Sequence, residues 1–62
     1  MLNDRELELL VIAARYAKKY RDSNPEVGFG PSNYRIVEGI CEELSFADTI
    51  DDADIAWVAS EM

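Results

Sequence analysis

The residues best suited to chemistry in this chain are carboxylates. Asp48, Asp51, Asp52 and Asp54 crowd into one short stretch, and oxygen-rich clusters hold calcium when their spacing follows the EF-hand loop, which needs glycine at its sixth position. A loop opened at Asp52 puts Trp57 there, so no calcium site is expected. The same aspartates suit the start of a helix, where the positive end of the macrodipole favours negative charge. Histidine is absent and Cys41 is the only cysteine, which excludes Ser-His-Asp and Cys-His nucleophiles and the usual zinc ligand sets. Paired carboxylates alone can act as acid and base only in a cleft that shifts one of them. A chain of 62 residues has little interior from which to build such a cleft. The expectation is therefore no enzyme, no catalytic residue, no cofactor and no metal.

Gly28-Phe29-Gly30-Pro31-Ser32-Asn33 stands before a helical pattern, as a phosphate cradle does. A third glycine, a preceding strand and a following lysine are all missing, so a phosphate site is not expected. The glycines provide unusual backbone angles, and Phe29 either folds back onto the core or projects as an anchor for a partner. Cys41 falls on the apolar side of its helix, where a thiol is inert packing.

Thirteen acids against six bases give a net charge of −7 and a pI near 4.2. That balance opposes direct binding to nucleic-acid phosphates or to an anionic membrane. The charge is also unevenly dealt. Residues 1–22 hold four acids against five bases, +1, whereas residues 23–62 hold nine acids against Arg35 alone, −8. One reading is a solvated face that keeps a small protein soluble. The other is a surface for a basic protein, formed by Glu38, Glu42, Glu43, Asp48, Asp51, Asp52 and Asp54. The function expected on that reading is stoichiometric protein binding, as an interaction or regulatory module. A nucleic-acid-mimicking inhibitor of a basic nucleic-acid-binding protein is the alternative. A helix-turn-helix DNA reader comes third, because its reading helix would open on aspartates that DNA repels.

Three helices must position these residues. Asn3 and Glu6 have the spacing of a capping box, and Leu2 and Leu7 that of a hydrophobic staple, which predicts a helix over 4–21. Acids at its front and bases at its back match both ends of the macrodipole. Pro25, Gly28, Gly30 and Pro31 break the chain into a loop over 22–32. A second helix is predicted over 33–46, capped by Ser32 or Asn33, with Ile36, Val37, Ile40, Cys41 and Leu44 on one side. A third is predicted over 50–61, capped by Thr49 or Asp48. Strand alternation and hairpin signals are absent. The fold class is all-α, a compact three-helix miniature domain spanning 1–62 with a long first helix and two shorter ones. Gly28-Phe29 ahead of an amphipathic helix, then a helix with Trp57, resembles the ubiquitin-associated three-helix modules, but the first helix is longer and the spacing to the third wider, so no function carries over.

The first helix is apolar over too wide an arc. Leu7, Leu10, Val11, Ala14 and Ala17 make one stripe, and Leu9, Ala13, Tyr16 and Tyr20 make a second beside it, roughly 220° in all against the ~100° or slightly more that one core face needs. Either the helix lies between its neighbours and the long loop, or the surplus is an interface, and self-association through Leu9, Ile12, Tyr16 and Tyr20 is the sharper expectation. The longest apolar run, Leu9 to Ala14, is far short of the ~20 residues that span a bilayer. A lone cysteine suits a reducing compartment, and Asp4, Glu6 and Glu8 do not resemble the positive start of a secretory signal. A complete, soluble, cytoplasmic chain is expected. Millimolar calcium should leave the thermal melt followed by circular dichroism unchanged; a clear rise in melting temperature would show that the aspartates do form a site.

Overall fold

Asn3 starts the first helix with a reciprocal cap. Its Oδ1 accepts the Glu6 backbone N–H at 2.8 Å, and Glu6 Oε1 accepts the Asn3 N–H at 3.4 Å, which satisfies two of the donors that a helix start leaves open. Leu2 just before the cap is buried, and Leu7 packs on the same core. In the computed structural model, which describes residues 2–24 and 32–62, this helix is α1 (Asp4–Asp22). Its last carbonyls are met by side chains: Ser23 Oγ donates to the Lys19 carbonyl at 2.9 Å and Asn24 Nδ2 to the Tyr20 carbonyl at 2.7 Å. Phe29 and the glycines beside it lie outside the described residues.

The second helix, α2 (Asn33–Glu43), is capped by Ser32, whose side chain accepts from the Arg35 N–H. It stops at Glu43, short of the expected 46, because Ser45 adopts the left-handed conformation with φ 62°. The Phe46 N–H then donates to the Cys41 carbonyl at 2.8 Å and the Ser45 N–H to the Glu42 carbonyl at 3.2 Å. This pair of bonds is a Schellman motif with serine where glycine is usual. The reversal leaves Leu44 exposed and turns Phe46 onto the core.

The third helix, α3 (Asp52–Glu61), starts two residues later than the expected 50, and its cap is Asp51 in place of Thr49 or Asp48. Asp51 Oδ1 accepts the Asp54 N–H at 2.8 Å, while the Thr49 hydroxyl is already donating to the Phe46 carbonyl at 3.2 Å. The Phe46 carbonyl also accepts the Thr49 and Ile50 backbone N–H groups, each at 3.0 Å. That turn delivers Ile50 to the core edge ahead of the helix. The fold is all-α: among the described residues there are three helices and no strand, and no helix is long and apolar enough to cross a membrane.

The core draws on every helix. Leu10 and Ala14 of α1, Val37 and Cys41 of α2, and Ile55 and Val58 of α3 are buried together with Leu2. No polar or charged residue is buried with them among the described residues. The α1 and α3 helices run in the same sense. Near their starts Asp4 and Leu7 share a cleft with Asp54 and Trp57. At their ends Arg15 Nη2 donates to the Glu61 carbonyl at 3.2 Å and Lys18 Nζ to the Met62 carbonyl at 3.1 Å. The last turn of α3 holds no base of its own, so α1 provides the cations that the negative end of α3 favours.

Two tests follow from this packing. Ser45→Gly removes the Cβ penalty of the left-handed conformation and should stabilise the fold by about 0.5–1 kcal/mol, raising the melting temperature by about 2–8 °C. A fall would mean that α2 does not end in this motif. Cys41 is buried, and burial raises its thiol pKa above the ordinary value. It should react with thiol reagents far more slowly in the native protein than in denaturant, whereas equal rates would place it at the surface.

Candidate functional site

Parallel packing of α1 on α3 leaves a cleft of about 380 Å³ between them. Leu7, Val11 and Trp57 form its apolar lining, and Asp4, Glu8, Asp54 and Glu61 contribute four carboxylates. Trp57 is 50% exposed, a large share for the one tryptophan of so small a protein. It stands one turn from Asp54 on the face of α3 turned toward α1, while Ile55 and Val58 on the adjoining face enter the core. Asp54 Oδ2 is buried and has no hydrogen-bond partner. An acceptor in that state lacks both water and a donor, a cost that the rest of the fold offsets.

The carboxylates are dispersed around the cleft. Among the described residues no three metal-ligating side chains are close enough to hold an ion. Spread over an apolar, aromatic lining, they suit instead an extended organic cation, with the flat charge of a guanidinium or the methylene stem of a lysine lying on the indole.

The acids singled out from the sequence stand in several settings, with Asp52 and Glu38 both close to Tyr34. Asp54 belongs to the α1/α3 cleft, whereas Glu43 lines a separate groove between α1 and α2. Asp51 is occupied as a cap. Asp52 Oδ1 accepts from the Tyr34 hydroxyl at 3.3 Å. Partial burial first, and then the Asp52 charge, raise the Tyr34 pKa, so the phenol keeps the proton it donates. Glu38 sits 3.9 Å from Arg35, and Glu42 and Asp48 are exposed. Asp4, Glu8, Glu61 and Trp57 were not visible as a site in the sequence, because they come from opposite ends of the chain and meet only through the parallel packing. An aromatic one turn after an acid is their one local signal.

The apolar candidates on α1 are all at the surface: Leu9 is 51% exposed, Ile12 58%, Tyr16 74% and Tyr20 65%. The second stripe of α1 is therefore not used by the core. A groove of about 450 Å³ joins Leu9, Ile12 and Tyr16 to Ile40 and Leu44 of α2. The bases of α1 that could have formed a phosphate-binding patch are partly spent, Arg15 and Lys18 on the end of α3 and Arg21 on Asp22 at 3.2 Å. Residues 44–51 between α2 and α3 also exceed the 3–4-residue turn typical of a helix-turn-helix. Comparison with known proteins gives no relative for this arrangement: no family model, no curated protein and no solved structure matches the chain.

Proposed function

We propose that this protein is a stoichiometric protein-binding module whose ligand is a basic segment of a partner, with an arginine or lysine side chain held in the α1/α3 cleft. The observation that carries the reading is the half-exposed Trp57 among the four carboxylates that line the cleft, Asp4, Glu8, Asp54 and Glu61. A guanidinium or ammonium entering the cleft meets the indole face and the carboxylates of Asp4, Glu8, Asp54 and Glu61. Its stem replaces water over Leu7 and Val11. The exposed acids outside the cleft, Glu42, Asp48 and Asp52 among them, strengthen a negative field that steers a positive partner toward the surface without touching it.

Trp57 is the only tryptophan, so its fluorescence reports directly on occupancy. Titration with an arginine-rich peptide should change that emission saturably, and a glutamate-rich peptide should not. Binding should weaken steeply with salt, since the Debye length falls from ~10 Å at 0.1 M to ~3 Å at 1 M. Asp54→Asn, followed through the same emission, and Trp57→Ala, followed by calorimetry, should each lower affinity by about tenfold, the equivalent of roughly 1.4 kcal/mol. Helicity should stay intact in both variants. No saturable change with the basic peptide, or affinity that is indifferent to salt and to both substitutions, would refute the reading.

A further inference from the structure

Five of the six large apolar side chains left exposed among the described residues form one strip along α1 and the adjoining end of α2: Leu9, Ile12, Tyr16, Tyr20 and Leu44. Side chains scattered singly over a surface need no explanation, but a contiguous strip of this kind does. On α1 it lies away from the fully buried Leu10 and Ala14, and α2 borders it only through Ile40, Glu43 and the adjoining Leu44. With Arg5 before it and Lys19 near its end, the outward line reads Arg5, Leu9, Ile12, Tyr16, Lys19. Those steps alternate four and three, the spacing of a coiled-coil seam.

We propose that α1 docks antiparallel against α1 of a second copy of this chain. Charge selects the occupant. Residues 23–62 carry −8 and repel a second copy, whereas residues 1–22 sum to +1, which makes α1 the surface where two copies approach at least electrostatic cost. Arg5 and Lys19 in the seam, with Arg15 beside it, disfavour the basic segment that suits the cleft.

Charge also selects the direction. Parallel docking stacks Arg5 on the partner's Arg5 and Lys19 on the partner's Lys19. Antiparallel docking puts Leu9 against the partner's Ile12 at the centre and sets Tyr16 against the partner's Arg5, ring to cation. Alongside, Glu8 faces the partner's Arg15, and two-fold symmetry makes that ion pair twice. Arg15 can serve both roles, since the bond to the Glu61 carbonyl uses only Nη2 and a guanidinium has further N–H donors. The inference does not rest on the basic-segment reading, although the two surfaces share Glu8 at their common rim.

Light scattering on a size-exclusion column, from micromolar to millimolar protein, reads the assembly. The wild type should reach the dimer mass, and Leu9→Glu combined with Ile12→Glu should stay monomeric. A charge exchange tests the register without touching apolar packing. Glu8→Arg alone and Arg15→Glu alone should each weaken dimerisation by about tenfold, and mixing the two variants in equal amounts should restore it, because each then provides the charge that the other lacks. A wild type still monomeric at millimolar concentration overturns the proposal. So does a dimer that tolerates both glutamates on the seam, or a mixture that gains nothing over its components. Failure of the basic-peptide titration, by contrast, leaves this surface unaffected.

Discussion

The molecule depends on a mismatch of lengths around a very small core. At about 1.5 Å per residue, α1 is roughly twice as long as α2 or α3, since it has 19 residues against 11 and 10. Leu10, Val37 and Val58 are fully buried, and the small cluster they form with Leu2, Ala14, Cys41 and Ile55 is what two short helices close over one side of a long one. Everything else on α1 must be capped, paired or left at the surface. Burying roughly 60% of its unfolded surface is the limit for a chain of this size, so apolar side chains that the core has no room for remain outside it.

Charge follows from the same geometry. The parallel run of α1 and α3 carries Arg15 and Lys18 to the end of α3, where they complete a helix that has no base of its own in its last turn. Positive charge is thus drawn to one end of the helix pair. At the other end Asp4, Glu8 and Asp54 have no such compensation, and Trp57 stands between them with half its surface in water. The acidic cleft and the cationic brace are two ends of one packing decision. The apolar strip of Leu9, Ile12 and Tyr16 lies on a different face of α1 and shares no side chain with the lining of the cleft.

Much of the local structure was legible in the residues themselves. The Asn3–Glu6 box, the Ser32 cap and the apolar stripe centred on Val37 and Cys41 follow from hydrogen bonding and periodicity within one or two turns, and each is present. The exposure of Leu9, Ile12, Tyr16 and Tyr20 was half legible. An arc too wide for one core face is visible in the sequence, but whether a neighbour covers it is not. The segment joining α2 to α3 was misread, because serine in the left-handed conformation breaks the rule that glycine marks such a stop, and because Thr49 spends its hydroxyl on Phe46.

By itself the sequence determined that this protein is all-α, that it has no histidine chemistry, that its long helix is capped by Asn3, and that its net negative charge lies after residue 22. These are consequences of residue type, and of contacts within a few positions that any conformation of the chain would have to honour. Only the tertiary structure decided that α1 and α3 lie parallel, which brings Asp4 and Glu8 to Trp57 and Asp54 and carries Lys18 to Met62. It likewise decided which stripe of α1 is buried. The reason is physical: two stripes of nearly equal apolar content compete for one core, and the choice between them rests on how two short helices interlock around Leu10, a long-range packing energy that no local pattern encodes.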